Sequence, residues 1–98
     1  MIKKNYTRTG KYCRVTFKLP SDLKIGQAAL CGDFNDWNKR SIVMKRLKDG
    51  SFSTTVTLAV DASYRFKYFL GGDQWENDGD ADGYAQNAFG SEDSVVKV

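Results

Sequence analysis

An all-β fold, an antiparallel β-sandwich immunoglobulin-like in outline, is the class this sequence predicts. Three observations carry it. Apolar residues recur every second position in three separate runs, Cys13 to Leu19, Phe52 to Val60 and Tyr64 to Leu70; a period of two is the mark of a half-buried strand. No window shows a helical period. Turn-forming residues break the chain at short intervals, which suits short strands joined by hairpins.

In order, Met1 to Lys11 is polar and basic, and reads either as an arm or as an edge strand around Tyr6. In Cys13 to Leu19, positions Cys13, Val15, Phe17 and Leu19 alternate with Arg14, Thr16 and Lys18. Pro20 ends that strand because it cannot donate to a ladder, and Ser21 to Gly26 is loop. Gln27 to Gly32 is a short strand of mostly small residues, and Phe34 to Asn38 a turn-rich loop. Ser41 to Leu47 reads as a strand with blurred alternation, and Asp49-Gly50 is a strong hairpin signal. Phe52, Thr54, Val56 and Leu58 share one face of the next strand. Tyr64, Phe66 and Tyr68 share a face of the aromatic strand, with Arg65, Lys67 and Phe69 opposite. Gly71-Gly72-Asp73 turns the chain toward Trp75. Glu76 to Gly90 reads as a long acidic loop with room for a helical turn near Tyr84, and Val95 to Val98 as a terminal strand. The count is six or seven strands in one domain over 12–98, preceded by the basic segment 1–11.

The 98 residues are enough to fold without disulfides or a structural metal. Hydrophobic content of 41% and charged content of 28% fit a soluble globular chain. The net charge of +3 is weak support for a polyanionic partner. Cys13 and Cys31 fall in apolar runs and read as reduced, buried residues, with a cross-strand disulfide as the alternative. Residues 1–12 lack an apolar signal core, and no stretch approaches the ~20 apolar residues of a membrane span. The expected compartment is the cytoplasm.

Histidine is absent, which removes His-dependent triads and the commonest metal ligand. Two cysteines without Cys-x-x-Cys spacing do not make a zinc site. The carboxylates from Asp73 to Asp82 read as solvated turn residues with no apolar neighbourhood to raise a pKa. Asp78-Gly79-Asp80-Ala81-Asp82-Gly83 copies the first half of a calcium loop, but Phe89 occupies the twelfth position, where a glutamate is required. The expectation is a non-enzyme with no cofactor and no metal.

Trp37 and Trp75 are the only tryptophans, and both sit among turn-forming residues rather than inside apolar runs. An indole at a strand end offers a flat apolar partner to the CH-lined face of a sugar. Each stack contributes roughly 1–2 kcal/mol if it removes ~40–80 Å² of apolar surface from water. After the cost of association this predicts weak binding, about 10 µM to 1 mM. The plain alternative is that either ring plugs the open end of the sandwich. Lys67 could donate to sugar hydroxyls, or be an ordinary solvated strand lysine.

Gly32-Asp33-Phe34-Asn35-Asp36-Trp37-Asn38-Lys39, then Tyr64 to Phe69, Gln74-Trp75 and Val95-Val96-Lys97-Val98, resemble the glycogen-binding type of carbohydrate-binding module, family 48. The resemblance runs from about Cys13 to the C-terminus and extends to the early-set N-terminal domains of isoamylase and branching enzymes and to the beta-subunit module of AMP-activated protein kinase. It implies an early-set immunoglobulin-like sandwich that binds α-1,4-glucan through two tryptophans, a lysine and an asparagine. The tryptophans match Trp37 and Trp75, the lysine Lys67, and Phe89 matches an apolar residue that inserts against the glucan. The asparagine position carries Asp93 or Ser94, and the turn before Trp75 is one residue longer.

The first expected function is therefore binding of α-glucan polysaccharide or oligosaccharide, acting alone or alongside a glycogen-metabolising enzyme. The second is an interaction module that keeps the fold, has lost glucan binding, and docks on such an enzyme. Nucleic-acid binding through the basic arm with Tyr6 and Tyr12 as stacking platforms is the third, disfavoured by the acidic loop beside a tryptophan. No membrane partner is expected.

Overall fold

The computed structural model describes residues 2–20, 26–72 and 74–98. Of the expected Ser21 to Gly26 loop only Gly26 is among them. Met1 of the basic segment and Asp73 of the glycine turn also lie outside the described residues.

Two antiparallel sheets stack face to face. The first contains β1 (Ile2–Tyr6), β2 (Tyr12–Leu19), β4 (Lys45–Arg46) and β5 (Phe52–Ala59) in the order β1-β2-β5-β4. The second contains β3 (Ala29–Gly32), β6 (Ser63–Gly71), β8 (Gly83–Gln86) and β9 (Glu92–Lys97) in the order β3-β6-β9-β8, with β7 (Gln74–Glu76) paired to the far end of β6. The segment Ile2–Tyr6 is thus the edge strand of the two readings, with Tyr6 opposite Cys13.

The alternation places the core. Cys13, Val15, Phe17 and Leu19 of β2 and Phe52 and Leu58 of β5 meet Leu30, Phe66, Tyr68 and Val96 of the second sheet. Phe17 and Phe66 pack edge to face at 4.9 Å, and Phe66 and Tyr68 at 5.7 Å. Such pairs contribute beyond their buried area, by about 0.5–1.5 kcal/mol each. Across the β5–β6 connection the Tyr64 hydroxyl donates to Ala59 O at 2.9 Å. That resembles the tyrosine corner of immunoglobulin-type sandwiches.

Four expectations need correction. Nine strands form among the described residues, not six or seven. The strand expected over Ser41 to Leu47 contracts to Lys45–Arg46 plus a single bridge from Val43 to Ala29. The segment from Glu76 to Gly90 is not one long loop: Gly83–Gln86 is β8, paired with β9, and Tyr84 is a strand residue without a helical turn. Its low hydrophobicity concealed it, because an edge strand needs only a ladder on one side.

Fourth, Asp78 is no solvated turn carboxylate; it is 3% exposed. The buried Tyr68 hydroxyl donates to Asp78 Oδ2 at 2.6 Å, and the Asp78 N–H donates to Ser94 Oγ at 2.9 Å. Burial, with the Asp78 hydrogen bond adding to it, pushes the Tyr68 phenol far above its ordinary pKa, so it stays a donor. Asp78 therefore fastens the β7–β8 connection to the core.

Candidate functional site

Two of the side chains that the alternation of β6 turns away from the core, Arg65 and Lys67, form the floor of a groove. Arg65, Lys67 and Phe69 point outward, while Phe66 and Tyr68 point in. Around that floor lie Asp33, Trp37, Trp75, Asn87, Phe89, Ser91 and Asp93, enclosing about 580 Å³. That volume is ordinary for a small-ligand site. All five expected residues, Trp37, Lys67, Trp75, Phe89 and Asp93, line it.

Trp37 is placed by a tight turn at the end of β3. Gly32 opens the turn, since a Cβ there would come within 2.5 Å of Arg65 O and 2.8 Å of the Phe34 ring. Asn35 braces it: its Oδ1 accepts from the Gly32 N–H at 2.9 Å, and its Nδ2 donates to Leu30 O at 3.1 Å and to Ser41 Oγ at 2.9 Å. Asp36 and Trp37 both adopt left-handed backbone, φ 54° and 58°. For a bulky residue this costs energy and persists only where its surroundings hold it. Trp37 is held by its own N–H, donated to Gly32 O at 2.9 Å, and by its indole Nε1–H, donated to Asp33 Oδ1 at 3.2 Å. The other oxygen of Asp33 accepts the Arg65 N–H at 2.9 Å, taking the place of a strand residue just past the end of β3.

Trp75 reaches the groove differently. It is a strand residue on β7, directly opposite Phe69, rather than the loop residue the sequence suggested. The β6–β7 ladder shifts register at a bulge between Phe69 and Gly71, where Gly71 has φ 105°. A bulge takes up one residue without reversing the face of the residues beyond it, and the ring stays on the groove side. Trp75 is 37% exposed and touches Phe69 at 4.9 Å between centroids. Trp37 is half-buried. Neither indole is sealed inside the sandwich.

Lys67 is not a freely solvated strand lysine: its side chain is 14% exposed, its Nζ donates to Ser91 Oγ at 3.3 Å and lies 3.9 Å from Asp93 Oδ1. Arg65 Nη1 is also 3.9 Å from Asp93, through Oδ2. Of the two residues that the resemblance offers for the asparagine, Asp93 faces the groove. Ser94 is fully buried on the opposite face of β9 and serves Asn77 and Asp78. A carboxylate at Asp93 accepts where an amide would also donate.

The tip between β8 and β9 carries Phe89, 93% exposed. Asn87 builds that tip: its Oδ1 accepts from the Phe89 and Ser91 N–H groups, and its Nδ2 donates to Ser91 Oγ and Asp93 Oδ1 at 2.9 Å each. Asp33, Arg65, Asn87 and Ser91 were not singled out in the sequence. Asp33, inside the Gly32 to Lys39 motif, and Arg65, two residues from Lys67 on the same strand face, carried a legible signal; Asn87 and Ser91 did not.

Cys13 and Cys31 are both free and buried. Cys13 lies in the inter-sheet core. Cys31 pairs with Lys67 on the groove side of β3, under the Trp37 turn, with its Sγ 3.5 Å from Asn38 O. Burial raises its thiol pKa, against a smaller opposing effect from Lys39, so it is a poor nucleophile. Tyr6 pairs with Cys13 and so faces the core side of the sheet, whereas Tyr12, one residue away on β2, faces outward. The two tyrosines do not share a stacking surface. In the calcium-like segment Asp78 is committed to Tyr68, and Asp82 to Lys4 at 2.7 Å and to the Lys97 N–H. Among the described residues no group of three or more metal-ligating side chains forms, and no helix is long and apolar enough to cross a membrane.

A search of the curated proteins found no match. The family model of carbohydrate-binding module 48, the isoamylase N-terminal domain, matches residues 26–85. The matched span holds Trp37, Lys67 and Trp75 and stops short of Phe89 and Asp93. With most of its length covered by that model and two antiparallel sheets packed as a sandwich, the chain belongs to the carbohydrate-binding module 48 family, a family of non-catalytic carbohydrate-binding domains.

Proposed function

We propose that this chain binds α-1,4-glucan without transforming it, as glycogen, starch or a maltooligosaccharide. The observation that carries the reading is that Trp37, Trp75, Lys67 and Phe89 line one groove although they come from four different elements. Successive glucose units stack their CH faces on the two indoles. Lys67 and Arg65 donate to hydroxyls, Asp93 accepts from them, and Phe89 closes against the chain from the β8–β9 tip. The Trp37 indole N–H is already given to Asp33, so that ring contributes its face rather than a hydrogen bond.

Among the described lining residues no pair of carboxylates is set up as acid and nucleophile: Asp33 is engaged by Trp37 and Arg65, and Asp93 by Asn87. A glycosidase needs one carboxyl group kept protonated beside one ionised. That supports the non-catalytic reading.

Titration with maltoheptaose should change tryptophan fluorescence with a Kd of about 10 µM to 1 mM. Trp75→Ala should weaken binding by roughly 5–30-fold, the value of one lost stack, while the thermal transition is kept. Because the ligand is neutral, raising salt should change affinity little, in contrast to a polyanion. A flat titration with folded protein would overturn the proposal and favour a docking module on a glucan-processing enzyme.

A further inference from the structure

A line of apolar side chains leaves the groove at Trp75 and crosses the sheet. Trp75 lies opposite Phe69, Phe69 opposite Ala29, and Ala29 bridges to Val43. Directly opposed residues in antiparallel pairs share a face, so all four belong to the groove side. Three strand spacings separate the ends of the row, about 14 Å. Val43 is 66% exposed, with no core contact to account for it.

Beside this row is a second hollow of about 390 Å³, lined by Phe69, Ala29, Val43, Gln27, Lys39 and Arg40 among others. It shares with the first groove an aromatic ring and cationic N–H donors, set here over an aliphatic floor. No carboxylate is among its described lining residues. The Lys39 ammonium lies 4.7 Å from the Phe69 centroid and 5.5 Å from that of Trp75, at the junction of the two cavities. A donor-rich, acceptor-poor rim suits a ligand rich in acceptor oxygens. Its continuity with the Trp75 ring points to more of the same chain.

We propose that the glucan path continues past Trp75 into this hollow, a second subsite floored by Phe69, Ala29 and Val43, with Arg40, Lys39 and Gln27 donating to hydroxyl and ring oxygens. The inference rests on the glucan reading of the first groove. It makes recognition length-dependent: a short oligosaccharide fills the groove between the tryptophans, and a longer one also occupies the hollow.

Calorimetric titrations of the whole chain with maltotriose and with a maltodecaose preparation test this. Wild-type protein should bind the longer chain more tightly, by about 3–10-fold beyond the statistical gain from extra registers. Arg40→Ala and Val43→Ser, both at exposed positions, should erase that excess and leave maltotriose affinity within about twofold. Unaltered thermal transitions should show that both variants fold. Equal wild-type affinities after the statistical correction would overturn the second subsite and spare the first groove. So would variants that weaken both ligands alike, or neither. Wild-type binding to neither ligand would overturn both readings. A wild-type excess seen only with a phosphorylated glucan, and lost in high salt, would overturn the neutral-sugar assignment in favour of an anion site on Lys39 and Arg40.

Discussion

The two outer faces of the sandwich begin from the same strand pattern and end as different surfaces. On the first sheet, Lys3, Arg14, Thr16, Lys18, Lys45, Ser53, Thr55 and Thr57 share the outward side. The Thr16 and Thr55 hydroxyls meet across β2 and β5 at 2.9 Å. On the second sheet the outward residues of β6 are Arg65, Lys67 and Phe69, no more apolar at first sight. The groove arises because the chain around that second face rises above it. The turn after β3 lifts Trp37, β7 brings Trp75 alongside Phe69, and the β8–β9 tip carries Phe89. A binding surface here is a property of what overhangs the sheet, since strands alone yield a nearly flat ledge of alternating side chains.

The most severe way to break the contrast is at the base of the overhang. Gly32→Ala places a methyl group 2.5 Å from Arg65 O, a backbone atom that cannot swing aside. Overpacking of this kind costs about 1–3 kcal/mol, and a chain of this size should lose roughly 5–20 °C of thermal stability. Differential scanning calorimetry would read the shift, and glucan binding should fall with it because the Trp37 turn starts at this residue. An unchanged transition would show that the turn can move away from the sheet.

A milder test leaves the fold standing. Asp33→Ala removes the acceptor shared by the Trp37 indole and the Arg65 N–H. Glucan affinity should drop about 3–10-fold, and the Trp37 indole proton resonance should move. Asp33→Asn, which keeps one acceptor oxygen, should recover part of the loss. Arg14→Ala on the other face should alter neither quantity. If Arg14→Ala weakens glucan binding as much as Asp33→Ala does, the functional asymmetry of the faces is wrong.

The smallest expected effect concerns the tie between the two sheets. Burial alone would raise the pKa of Asp82, but the hydrogen bonds from Lys4 and from the Lys97 N–H, with both ammonium charges, hold it below the usual carboxylate value. A carboxyl group whose folded pKa is depressed adds stability above its unfolded pKa, and that stability disappears as pH falls through the folded value. Thermal melts from pH 7 down to about pH 2.5 should therefore show a decline below the unfolded carboxylate pKa, near 3.9. In Lys4→Met this decline should be shallower. Parallel pH profiles for the two proteins would remove Lys4–Asp82 from the acid response.

The sandwich was legible because strand alternation is local. Cys13 to Leu19 and Tyr64 to Leu70 declare their inward faces within a few residues, and Asp49-Gly50 declares its turn. Gly83–Gln86 was hidden, since a half-exposed edge strand of Gly, Tyr, Ala and Gln carries little apolar periodicity. Asp78 was misread because its partners, Tyr68 and Ser94, lie 10 and 16 residues away.

By itself the sequence determined the fold class, the inward and outward sides of the main strands, and the residue types that could stack on or bond to a sugar. Tertiary structure alone decided that Trp37 and Trp75 open onto a common groove, that Asp93 rather than Ser94 faces it, and that a second hollow adjoins it. The physical reason is one of range. Side-chain alternation follows from the backbone of a single strand, whereas meeting across a groove requires register between strands, a bulge at the right residue, and a turn held by a carboxylate 32 positions before the N–H it accepts.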